Sequence, residues 1–211
     1  PDKINTSQWL EVMKTAHQAG FKTTATIMYG HVEAPIHWAK HLTEVRNLQL
    51  QTGGFTEFVP LPYVPMEAPM YLKGKSRRGP SFREAILMHS VSRIAFKGLI
   101  NNIQTSWVKM GQEGVQACLN AGANDIGGTL MNESITRAAG ADHGQEWHPQ
   151  GIEETIISMG RIPKMRTTSY DEAPQSRREL AFRASTLKQV ENTAAAKLQR
   201  SKKLDNIAQV L

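Results

Sequence analysis

The sequence predicts an α/β fold of about four parallel βα units, which is half of an eight-fold βα barrel. Three observations carry that expectation. Short β-branched or aromatic runs alternate about four times with apolar stripes at helical spacing. The segments between those runs are long enough for helical crossovers, which parallel strands require. A chain of 211 residues, 40% hydrophobic and 21% charged, has the balance of one globular domain with a sizeable core. Four units cannot close a barrel alone, and a flavodoxin-like open sheet fits the same alternation.

The elements follow in order. Asn5-Thr6-Ser7-Gln8 opens a helix with capping-box chemistry; its stripe is Trp9, Val12, Met13, Ala16 and Ala19, and Gly20 stops it. Lys22 to Tyr29 is a strand ending at Gly30. Pro35 suits a first helical turn, and Trp38, Ala39, Leu42, Val45 and Leu48 carry that helix to about Thr52. Phe55 to Leu61 is a second strand, closed by Pro60 and Pro62. A Pro-rich, basic connection then runs from Tyr63 to Pro80. Ser81-Phe-Arg-Glu84 has capping-box form and opens a helix ending near Gly98. Asn102 to Trp107 is a third strand, Gly111 to Ala121 a helix stopped by Gly122, and Asn124 to Gly127 a fourth strand. A further helix is expected over Gln150 to Met159, with Arg166 to Tyr170 as the last ordered piece.

Charge divides the chain at about residue 174. Residues 175–211 hold eight Lys/Arg against three acids, which accounts for +5 of the net charge of +6. Residues 1–174 are therefore nearly neutral, and 175–211 read as a basic tail, helical or partly disordered. That placement gives little reason to expect nucleic-acid binding by the globular part. No leader pattern and no run of about 18 apolar residues occurs, so neither a signal peptide nor a membrane span is expected. The single cysteine, Cys118, excludes an internal disulfide and favours a reducing, cytoplasmic setting, or an organelle if a targeting segment precedes Pro1. One thiolate also cannot hold an iron–sulfur cluster, which needs three or four ligands.

In parallel α/β folds, functional side chains collect where strands end and helices begin. Four such places are loaded here. Tyr29, His31 and Glu33 alternate, so an extended segment would put a phenol, an imidazole and a carboxylate on one side, able to orient a polar substrate or move protons. A helix-entry turn explains Glu33 as well. Pro60-Leu-Pro-Tyr63 is the second place. The third offers Gln104, Ser106 and Trp107, which could hold a ring by stacking and hydrogen bonds, although Trp107 could equally cap the core. The fourth runs from Asp125 through Gly127, Gly128 and Thr129 to Asn132 and Glu133. Its Gly-Gly turn can bring backbone N–H groups to an anion, and helix capping is the alternative. His37 and His41 have zinc-ligand spacing but lack the zinc-protease Glu after the first His, and read as a surface or core pair. Lys73, Lys75, Arg77 and Arg78 form a four-cation loop, more simply solvated than anion-binding. Cys118 reads as a small buried hydrophobe.

Several of these runs resemble a known family. Thr23-Thr-Ala-Thr-Ile-Met-Tyr-Gly-His-Val-Glu33, Gly53-Gly-Phe-Thr-Glu-Phe-Val-Pro-Leu-Pro62 and Asn102-Ile-Gln-Thr-Ser-Trp-Val108 resemble the radical S-adenosylmethionine (SAM) enzymes that handle deazaflavin and menaquinone precursors. Gly127-Gly-Thr-Leu-Met-Asn-Glu-Ser-Ile135, with Arg137-Ala-Ala-Gly-Ala141 and Arg166-Thr-Thr168, resembles FO synthase of the subunit 2 type. The likeness covers roughly residues 1–174. It implies the C-terminal half of a radical SAM TIM-type barrel whose other half binds a [4Fe–4S] cluster through Cys-x-x-x-Cys-x-x-Cys.

The family's 5′-deoxyadenosyl radical activates L-tyrosine, and the 4-hydroxybenzyl fragment passes to 5-amino-6-(D-ribitylamino)uracil. A partner radical SAM subunit or fused domain completes the deazaflavin of coenzyme F420. Those cluster cysteines are absent here, so the 211-residue chain by itself is expected to be inactive. A menaquinone-pathway (futalosine-type) enzyme fragment and a non-catalytic half-barrel module stand as the alternatives.

Overall fold

The computed structural model describes residues 3–130 and 133–187. Helix α1 (Thr6–Gln18) begins with the expected box: Asn5 accepts from the Gln8 amide and the Gln8 side chain accepts from the Asn5 amide, each at 2.9 Å. Strand β1 (Thr23–Tyr29) follows, then α2 (Pro35–Thr52), which ends where Gly53 turns left-handed at φ 62°. Strand β2 (Phe55–Pro62) leads through a short helix, α3 (Pro69–Leu72), to α4 (Phe82–Ala95), opened by the Ser81–Glu84 box. After β3 (Asn102–Thr105), α5 (Trp107–Asn120) and β4 (Asp125–Ile126) come α6 (Ile135–Ala138), α7 (Pro149–Ser158) and α8 (Gln175–Arg183).

All four strands are parallel and lie in the order β1-β2-β3-β4. A doubly wound open sheet needs a point where strand order reverses, and the described sheet has none. With sequential order, right-handed crossovers place every helix on one face. The burial of β1 agrees: Ala25, Ile27 and Tyr29 are buried, whereas Thr24, Thr26 and Met28 are exposed. The covered face packs Ala25, Ile27, Phe58 and Ile103 against Leu42, Val45 and Leu48 of α2, Met88 of α4, and Phe96. A second cluster joins Trp107, Val115, Cys118 and Leu119 to Ile126 and Trp147. This is an α/β sheet with one helix-covered face, consistent with half of a TIM-type barrel.

Several boundaries differ from expectation, each for a local reason. Strand β2 runs through Pro60 to Pro62, because β3 pairs only with Glu57 and Phe58; beyond them β2 keeps β1 alone as a neighbour and tolerates proline. Trp107 is helical rather than the end of β3. The helix starts one residue after Ser106 and is interrupted at Gly111 (φ 65°, ψ 177°), which breaks it instead of beginning it. The chain also continues past Tyr170 into α8, the first part of the basic tail, where Arg178 pairs with Glu153 of α7. Residues 188–211, the rest of that tail, lie outside the described residues. No described helix is long and apolar enough to cross a membrane.

Candidate functional site

The strand alternation that hides Tyr29 also decides what the open face of the sheet offers. Tyr29 points into the helix layer, fully buried and edge-on to Trp38 at 5.6 Å. Burial pushes its phenol well above the ordinary range, so it remains protonated. Tyr29 therefore does not share a side with His31 and Glu33, because Gly30, at φ 96°, ends the extended run that a period of two assumes.

Glu33 instead folds back over the turn. Its carboxylate accepts from the amides of Gly30, His31 (3.0 Å) and Val32 (3.0 Å) and from the Trp38 indole (2.8 Å). Burial alone would raise its pKa, but these donors outweigh that and hold it at about 2. His31 Nδ1 lies 2.6 Å from Glu33 Oε2, without the alignment of a hydrogen bond, and its ring faces Tyr63 at 5.6 Å. The alternative role for Glu33, a helix-entry anchor, is the one its contacts describe.

A depressed carboxylate stabilises the fold above its ordinary pKa of 4.5, and that contribution disappears as pH falls towards about 2. Glu33→Gln is expected to cost about 1 to 2 kcal/mol at neutral pH and to flatten the acid limb over that window. Thermal melts across the acid range measure this, and an unchanged acid limb would remove Glu33 as its source.

The open face carries a polar layer that the sequence only half announces. Thr24 Oγ1 donates to Glu57 Oε1 at 2.7 Å, and Gln104 Nε2 donates to both Glu57 (3.0 Å) and Asp125 (2.9 Å). After α7 the chain returns as a tight turn closed by an Arg166–Glu172 bridge. Arg166 grips Asp125 through Nε (2.7 Å) and Nη2 (2.5 Å) and reaches Glu57 at 3.5 Å. The Tyr170 hydroxyl donates to Glu57 and, at 3.1 Å, to Asp125, and its ring lies 4.0 Å beneath the guanidinium. Burial first, then the hydrogen bond to Glu57, raises the Tyr170 pKa beyond the ordinary range, so the phenol is a donor.

Gln104 and Asp125, two of the expected lining residues, thus belong to a tied network. Glu57, Arg166 and Tyr170 complete it, although none of them was expected as a lining residue. A charge within the predominantly apolar run Phe55–Leu61 was the available signal for Glu57.

At the other strand ends, Ser106 is the buried N-cap of α5 and makes no side-chain cap bond. Trp107 is a core residue whose indole donates to the Gly128 carbonyl at 2.9 Å, joining the ends of β3 and β4. Gly127, Gly128 and Thr129 line a cavity of about 560 Å³ along the free edge of β4, between it and α7. Glu133 accepts from the Thr136 amide at 3.0 Å, a helix-start contact. Asn132 lies outside the described residues. His37 accepts from the Ala34 amide at 3.1 Å, whereas His41 packs between Trp9 and Phe58, so that pair divides between two structural tasks.

A four-stranded parallel sheet with helices on one face and polar side chains on the other is consistent with half of a TIM-type barrel. The chain belongs to the family described as CofH/MqnC C-terminal region, matched over residues 52–180. It is 51% identical over 170 residues to the 5-amino-6-(D-ribitylamino)uracil–L-tyrosine 4-hydroxyphenyl transferase of Methanocaldococcus jannaschii, covering 81% of this chain and 47% of that protein. The Methanococcus maripaludis (strain C7) protein of the same name is 48% identical over 171 residues, covering 81% of this chain and 48% of that protein. The FO synthase of Mycobacterium leprae is 48% identical over 168 residues, 80% of this chain and 20% of that protein. The chain spans about half the length of the transferases and about a fifth of the FO synthase.

Proposed function

We propose that this chain is the substrate-side half of a radical SAM transferase that joins the 4-hydroxybenzyl group of L-tyrosine to 5-amino-6-(D-ribitylamino)uracil in deazaflavin formation. What carries the reading is the chain's high identity to the tyrosine transferases, on a sheet whose order suits half of a barrel. Residues 1–174 would form that half barrel and 175–211 a basic appendage. Of the expected lining groups, Asp125, Gly127, Gly128 and Thr129 border the cavity of about 560 Å³, and His31, its side chain 27% exposed, stands just past the end of β1.

The residues present do not fit an iron–sulfur cluster. Cys118 is fully buried, its thiol pushed up to about 11 by burial, and no group of three His, Cys, Asp or Glu side chains among the described residues could hold a metal. The cluster and SAM would be held by the remainder of the protein, and a partner radical SAM subunit or fused domain would finish the ring system. The task of this chain is then to bind, orient and shield the two substrates.

The test is turnover by the full protein with SAM and reductant. Consumption of L-tyrosine that depends on the ribityl-uracil is expected. Turnover of a futalosine-type substrate instead would move the chain to the menaquinone pathway, and neither activity would leave a non-catalytic module.

A further inference from the structure

The loops that follow β2, β3 and β4 enclose a second cavity, of about 330 Å³, in the size range of small-molecule sites. Tyr63 and Phe82 supply apolar wall; Arg78, Lys109 and His143 supply nitrogen. Its one lining carboxylate, Asp142, has a side chain 96% exposed and 3.8 Å from His143. The cations of this region are not equivalent. Arg77 is neutralised by two 3.0 Å bonds to Glu84. The side chains of Arg78 and Lys109 make no hydrogen bond or ion pair with any described residue.

Lys109 is half-buried on the first turn of α5, and burial lowers its pKa while the more distant Glu133 acts the other way. A desolvated ammonium with no carboxylate in direct contact is costly, and an anion delivered from outside would remove that cost. Gly111 lets a wall residue approach: a methyl group there would stand 2.8 Å from His143 Nδ1, so glycine lets that ring close over the helix break.

We propose that Arg78 and Lys109 form a carboxylate subsite that holds the α-carboxylate of the amino-acid substrate. The inference rests on the tyrosine-dependent reading above. The planar fork of arginine and the point charge of lysine are complementary ways to hold a carboxylate. Of the two substrates proposed, the ribityl-uracil has no carboxylate, whereas L-tyrosine has one. SAM is the other possible source of the same group.

The experiment measures equilibrium binding of L-tyrosine, tyramine (its decarboxylated analogue) and SAM to the full protein and to Lys109→Met and Arg78→Met. Both variants are expected to weaken L-tyrosine roughly ten- to a hundredfold and to leave tyramine and SAM nearly unchanged. Misfolding would weaken all three ligands together, and Arg78 is exposed and unpaired, so its replacement leaves the fold intact. Loss of SAM binding alone, or equal affinities for L-tyrosine in all three proteins, overturns the subsite. Absence of L-tyrosine binding by the unmodified protein overturns the functional reading itself, and the subsite with it.

Discussion

Arg166→Met is expected to destabilise the protein by about 3 kcal/mol, the lower part of the range for breaking a buried ion pair, because a quarter of the guanidinium side chain is exposed. The loss comes less from the missing attraction than from what remains. Glu57 and Asp125, whose side chains are only 15% and 11% exposed, both accept from the Tyr170 hydroxyl and would face each other without a cation. Adding Glu57→Gln to Arg166→Met should recover part of the deficit by removing one of the two like charges. Denaturant unfolding of the single and double variants measures both effects. Simple additivity of the two substitutions would show that the carboxylates do not interact through this site.

Gly30→Ala is expected to cost about 3 kcal/mol or more, for two separable reasons. The residue sits at φ 96°, where an L side chain is strained, and a methyl group would stand 2.4 Å from the backbone nitrogen of Pro80 and 2.2 Å from its Cδ. Gly20→Ala is the matched control: its φ is 88°, yet nothing lies within 4 Å of the added methyl. It should cost only about 1 kcal/mol, the conformational part alone. The difference between the two alanine variants isolates the packing of the β1–α2 turn against the Pro80 connection. Equal losses would mean that the connection moves aside freely.

What the sequence discloses follows from how local each decision is. The Asn5 and Ser81 boxes and the Pro35–Thr52 helix are set within a turn or two of chain, and each appears where local chemistry predicts it. The end of β3 is decided elsewhere. Its pairing stops at Thr105 and the Trp107 indole finds the Gly128 carbonyl, 21 residues away in sequence, so no local pattern could place that boundary.

The candidate site shows the same division. A period of two places Tyr29, His31 and Glu33 together only if the backbone stays extended, and the left-handed Gly30 breaks that premise. The strand ends near the Gly-Gly turn were legible because parallel folds put their openings there. Glu57 and Lys109 were not, since each acquires its meaning from side chains, or from an absence of partners, contributed by other loops, and Arg78 was legible only as one cation of a loop read as more simply solvated than anion-binding.

The turn that carries Arg166 and Tyr170 has a kinetic meaning. Successive strands of the sheet meet neighbours one crossover away, so pairing can spread along the chain in order. The bonds from Arg166 and Tyr170 to Glu57 instead close loops of 109 and 113 residues. Contacts so distant in sequence carry the largest closure entropy and form after the sheet they fasten. The turn is therefore a late latch, and loosening it should speed unfolding while leaving the folding rate nearly untouched.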